Sequence, residues 1–85
     1  MTISQVGIDI NKRFFLALDT LKHDKKIRGI QSFTKEFGIN RWNLITVKKE
    51  STSRFVKTEW LNYLVSHYNI SAEWLLTGRG NLYKK

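Results

Sequence analysis

Residues 28–50 read Arg28-Gly29-Ile30-Gln31-Ser32-Phe33-Thr34-Lys35-Glu36-Phe37-Gly38-Ile39-Asn40-Arg41-Trp42-Asn43-Leu44-Ile45-Thr46-Val47-Lys48-Lys49-Glu50. Phe33 and Phe37 are four apart, the spacing that puts two side chains on one helix face. They predict a helix from about Ile30 to Phe37. Gly38 stops it, because glycine takes the left-handed cap conformation without a Cβ penalty. Asn40 is placed to cap a following helix from Arg41 to about Lys49. The inward side of that helix carries Leu44 and Val47, with Ile39 leading in. Two short helices joined by a tight turn at Gly38 are therefore the centre of the chain.

Upstream, Ile10, Phe14, Leu18 and Leu21 recur at helical spacing, with Phe15 and Ala17 beside them. They make the stripe of an amphipathic helix. Asp9 or Asn11 is expected to cap its start, and the basic turn Lys22 to Lys26 to end it. Residues 1–8 admit three readings, because Val6, Ile8 and Ile10 alternate: a short strand, an arm, or the first turn of the helix. The domain proper is expected over residues 9–83. Downstream, residues 48–54 are polar and read as a loop. Val56, Trp60, Leu61, Leu64, Val65 and Tyr68 then mark a fourth helix, ended by Asn69. Ser71 is a good N-cap for a last short helix, Ala72 to about Thr77, with Glu73 in its first turn and Gly78 closing it. The sequence contains no proline and only 5 glycines, which favours helices. The expected fold is all-α, a compact bundle of about five short helices. Phe14, Phe15, Phe33, Phe37, Trp60 and Trp74 are expected in its core.

The chain has 85 residues, enough for one small domain and one modest core. It has no cysteine, so neither a disulfide framework nor a thiolate metal site is available. No apolar run is long enough to span a membrane. The first residues lack both the basic start and the apolar stretch of a secretion signal, so a cytoplasmic protein is expected. The formal net charge is +8. Between Lys22 and Lys57 ten basic residues face three acids, Asp24, Glu36 and Glu50. A charge so localised points to a polyanion partner; the plain alternative is a solvated basic surface. Enzyme readings find little support. His23 and His67 are 44 residues apart with no ligand or triad spacing around them, and Gly78-Arg79-Gly80 matches no phosphate loop. No catalytic residue, metal or cofactor is expected.

Residues 28–50 resemble the helix-turn-helix of the phage-repressor and Cro (lambda repressor-like) family. Members carry a small residue four before the turn glycine, an apolar residue on each side of it, and apolar residues six and nine after it. Here these are Thr34, Phe37, Gly38, Ile39, Leu44 and Val47. The phrase Ile70-Ser71-Ala72-Glu73-Trp74-Leu75-Leu76-Thr77-Gly78-Arg79-Gly80 is similar to the end of that domain in many small bacterial and phage repressors. There Trp-Leu-Leu-Thr-Gly, one or two residues, and Gly are common. The two matches cover about residues 10–83, with the motif at about 29–49. The chain departs from the pattern at Thr34, where Ala is usual, and at Ile30, where Gln is usual and Gln31 stands next to it. It departs most at Trp42, where a small polar residue usually faces DNA.

The resemblance implies sequence-specific binding of double-stranded DNA by a transcriptional regulator, of repressor type, of bacterial or mobile-element origin. The third helix would enter the major groove. Its outward face offers Arg41, Trp42, Ile45, Thr46 and Lys49, with Asn43 close by. Arg41 leads as a base reader, since its fork matches guanine O6 and N7; a phosphate contact is its alternative. Ile45 and Thr46 suit thymine methyl groups, and Asn43 suits adenine. Asn40 fits a cap better than a reader. Trp42 has three readings: packed on bases or sugars, folded onto the core, or seated in a protein interface. Lys25, Lys26, Arg28, Gln31, Lys48, Lys49 and Arg54 are the phosphate candidates. A homodimer, in solution or only on DNA, would use the fifth helix, Leu82-Tyr83 or the N-terminal arm. The alternative function is a protein-interaction adaptor on a fold of this type that has lost specific DNA binding, with Trp42 and Ile45 as its anchor.

Overall fold

The computed structural model describes residues 4–84. Helix α1 (Gln5–His23) begins earlier than expected. Ser4 is its N-cap, and its hydroxyl accepts from the Gly7 N–H at 3.2 Å. Neither Asp9 nor Asn11 is the cap. Of residues 1–8, which the sequence allows as a strand, an arm or the first helical turn, residues 5–8 are helix, and residues 1–3 lie outside the described residues. The alternation of Val6, Ile8 and Ile10 thus belongs to the first helical turns. Three alternating apolar positions fit either period, and the Ser4 cap decides between them.

Helix α1 runs into the basic turn, where the Asp24 N–H donates to Thr20 O at 2.8 Å. Helices α2 (Ile30–Phe37) and α3 (Arg41–Lys49) follow, with the bounds the sequence predicts. Between them Gly38 sits at φ 65°, and its N–H donates to Thr34 O. Asn40 caps α3: its side-chain oxygen accepts from the N–H groups of Trp42 at 2.9 Å and Asn43 at 3.2 Å. Thr34 is buried against α3, and its hydroxyl donates to Gln31 O at 3.1 Å, so its burial leaves no polar group unpaired.

Helix α4 (Thr58–His67) starts later than the apolar pattern suggested. Val56 is buried, but in the extended segment before the helix. Asn11 is the reason. This fully buried side chain donates to Ser51 O at 2.9 Å and Arg54 O at 2.6 Å, and accepts from Val56 N–H at 3.0 Å. Both its N–H donors and its carbonyl oxygen hold the end of the α3–α4 connection against α1. Helix α5 (Ala72–Thr77) is capped by Ser71 and closed by Gly78 at φ 78°, as its sequence predicts.

The core is built on α1. Phe14, Ala17, Leu18 and Leu21 meet Phe33, Leu44, Trp60, Leu64, Ile70 and Leu75. Phe14 packs edge-on to Phe15 and Phe33, with ring centroids 5.0 and 6.1 Å apart. Of the six aromatics expected inside, Phe37 and Trp74 are half-buried; Phe37 stacks on Tyr63 at 4.3 Å. After α5 the chain folds back. Ser71 N–H donates to Leu82 O and Lys84 N–H to Asn69 O, both at 2.8 Å. The Tyr83 hydroxyl donates to Asp24 Oδ2 at 2.6 Å, which ties the end of the chain to the turn between α1 and α2. Leu82 and Tyr83 are therefore committed to their own fold, and they do not offer the free apolar pair considered for a dimer. Among the described residues no strand forms; a single isolated bridge joins Ile70 and Tyr83. No helix of the described residues is long and apolar enough to cross a membrane.

Candidate nucleic-acid interface

Helix α3 turns Leu44 and Val47 inward, and the core takes them. Its other positions then have to face out. Arg41, Trp42, Asn43, Lys48 and Lys49 are exposed; Ile45 and Thr46 are half-buried. Trp42 is 68% exposed, which removes the reading in which it folds onto the core. Its neighbour Arg41 lies over it, with Cζ 5.5 Å from the ring centroid. No hydrogen bond or ion pair engages the Arg41 guanidinium among the described residues. Asn40 spends its acceptor on the cap.

Trp42, Ile45, Thr46 and Lys49 follow helical spacing on one face of α3. Asn43 and Thr46 stand at the edge of that helix nearer the segment before α4. They line a cleft of about 370 Å³ with Val47, Arg54, Phe55, Lys57 and Trp60. Phe55 is 56% exposed, a large apolar side chain beside α3 that the sequence reading passed over. Its signal was an aromatic between Arg54 and Val56 at the end of a polar loop. Lys57 was missed in the same way, counted in the charge but not singled out.

Six of the seven phosphate candidates line three clefts, Arg28 two of them, and Lys49 stands on the outward face of α3. Arg28, Gln31 and Lys48 border one cleft, of about 220 Å³, together with Lys22, Asp19 and the start of α2. This brings the end of α3 next to the beginning of α2 and places cations along one side of α3. Arg54 and Lys57 stand on its other side. Arg54 is partly engaged: its Nε donates to Glu50 Oε2 at 2.9 Å, an exposed pair one helical turn apart. It is the only ion pair among the described residues, so the other cations of the basic segment have no carboxylate partner there. Lys25 and Lys26 are apart from α3. They share a cleft with Arg28, Ser32, Glu36 and Tyr68, and Lys26 Nζ lies 4.3 Å from the centroid of the Tyr83 ring.

Two tyrosines beside the basic turn have perturbed phenols. Tyr68 is pushed up to about 12 by burial and by donating to the Glu36 carboxylate. Tyr83 is pushed up to about 12 by burial and by its bond to Asp24. Each holds its proton because the neutral phenol is the hydrogen-bond donor and a phenolate would face a carboxylate. Among the described residues no group of three or more His, Asp or Glu side chains gathers in a way that could hold a metal ion. No family model, no curated protein and no solved structure matches this chain.

Proposed function

We propose that this chain binds double-stranded DNA sequence-specifically through α3, as a transcriptional regulator with a lambda repressor-like domain. What carries the reading is the outward face of α3, where Arg41 and Trp42 are committed to no other element and cations lie on both flanks. A nine-residue helix is about 13 Å long. The major groove admits such a helix, and the N-terminal residues of a recognition helix are the ones that meet base edges. Arg41 and Trp42 occupy those positions. Lys48 with Arg28 on one side, and Lys57 with Arg54 on the other, suit phosphates of the two strands, which set affinity and register without reading sequence. Regulation follows by occupancy of a promoter. Pairing of two copies on a two-fold site belongs to the same reading, because one short helix reads few base pairs.

The test is selection of bound duplexes from a random pool at near-physiological salt, followed by sequencing. A recovered motif supports the reading, and a two-fold repeat within it supports pairing. Retention without a motif would reduce the protein to a non-specific DNA binder. The exposed apolar side chains Trp42 and Phe55 favour a second reading, a protein-interaction adaptor. Failure to retain any duplex would put that reading first.

A further inference from the structure

The Arg41–Trp42 pair is an unusual opening for an outward-facing helix. Both residues sit in the first turn of α3, just after the Asn40 cap, which fixes the backbone of that turn through two hydrogen bonds. The guanidinium lies over the indole at 5.5 Å, within cation–π range. No acceptor among the described residues takes the guanidinium N–H donors, so they stay free. The indole is 68% exposed, so most of its apolar surface remains uncovered. The pair thus presents a fork of unpaired donors next to a broad apolar plate.

From this geometry we infer that Arg41 and Trp42 act as one reader, selecting a guanine that adjoins a pyrimidine carrying a C5-methyl group. The inference rests on the proposed DNA binding and names the step that α3 reads. In the major groove guanine presents two acceptors, O6 and N7, which match the arginine fork. Thymine presents O4 and the C5-methyl, the one apolar feature of that groove. An arginine reads the guanine through its donors, and the methyl offers those donors nothing. Trp42 adds the apolar surface that rewards the methyl. The chemistry is the same for thymine and 5-methylcytosine, so the pair favours either over uracil or unmodified cytosine.

The experiment starts from the duplex recovered by random-pool selection. Each thymine is replaced in turn by deoxyuridine, which removes the methyl and leaves the pairing edge intact. The expected result is a loss of about three- to fivefold in affinity at one thymine next to a guanine, the size expected for uncovering one buried methyl. Replacing that thymine·adenine pair by 5-methylcytosine·guanine retains more affinity than replacing it by cytosine·guanine. In Trp42→Ala the thymine and deoxyuridine duplexes bind alike, and Trp42→Phe keeps part of the difference. Trp42 is exposed, so both variants fold, and circular dichroism checks that they do. A selected site whose guanine-flanking thymines all tolerate deoxyuridine overturns the inference while the DNA-binding function stands. A methyl effect that survives in Trp42→Ala overturns it as well, by assigning the methyl to another side chain. Failure to recover any motif would remove the function itself, and this inference with it.

Discussion

Arg41 and Lys48 stand at opposite ends of α3, and their chemistry assigns them different work. Arg41 has a planar fork and no partner beyond the Trp42 ring. Lys48 is a point charge beside Arg28 and Gln31. Arg41→Ala is expected to weaken binding to the selected site by about 1–3 kcal/mol more than binding to random DNA. Lys48→Ala is expected to weaken both alike and to flatten the salt dependence by about one unit of slope. Titrations on both duplexes check this; equal losses for Arg41→Ala would make it a phosphate contact. Asn11 is the counterpart inside the protein. Asn11→Leu keeps the branching and the number of side-chain heavy atoms but leaves the Val56 N–H and the carbonyls of Ser51 and Arg54 without their partner. The expected cost is about 3 kcal/mol, read by urea unfolding, because unpaired buried polar groups carry their full desolvation penalty.

At the scale of the element, the turn between α2 and α3 sets how the second helix leaves the first. Gly38 holds φ 65°, and a Cβ added there would meet nothing within 4 Å. Its requirement is therefore conformational and not steric crowding by neighbours. Gly38→Ala is expected to cost about 1 kcal/mol. That corresponds to a fall in Tm of roughly 4–8 °C for a domain of this size. Gly38→Asn should lose less, since asparagine tolerates the left-handed region better than alanine. Thermal unfolding of the two variants side by side separates this from a packing effect, which would rank the larger residue worse. The α3–α4 connection behaves differently. Turn bonds onto Glu50 O set its first residues, and the buried Asn11 amide holds the stretch after them, so that Arg54, Phe55 and Lys57 take their places beside α3.

The whole molecule concentrates its charge. If four to six phosphates are met, the logarithm of the binding constant should fall against the logarithm of salt concentration with a slope of about −4 to −5. A slope near zero would leave the basic surface as a device for solubility. Folding has its own pH signature. Tyr68 and Tyr83 are both pushed up to about 12 from the ordinary value of 10.0. A group held protonated by the fold contributes stability that is fully present below its unfolded value and is lost as pH rises through its folded value. The native protein is therefore expected to lose stability between about pH 10 and pH 12 through these phenols. Replacing both tyrosines by phenylalanine should flatten that alkaline limb without moving the stability curve at lower pH in the same way. Denaturant midpoints measured from pH 8 to pH 12 check it; parallel curves would mean that the two bonds to Glu36 and Asp24 do not persist in solution.

The sequence by itself determined the helices and their ends wherever the deciding chemistry is short-range. Gly38 with Asn40, Ser71 with Gly78, and the inward pair Leu44 and Val47 all act within one or two turns of the chain, so spacing and cap chemistry suffice to read them. The same holds for the excess of cations between Lys22 and Lys57. The tertiary structure decided whatever depends on distant backbones meeting. Asn11 looked like a cap candidate and is instead a buried clamp, because its partners lie 40 to 45 positions away. Lys25 and Lys26 are phosphate candidates by sequence; that they share a cleft with Ser32, Glu36 and Tyr68, with Lys26 over the Tyr83 ring, is decided by how the chain end and α4 pack against the basic turn. Trp42 had three readings in sequence, and only packing could remove the buried one: the core beneath α3 is filled by Leu44 and Val47, which leaves the indole outside beneath Arg41.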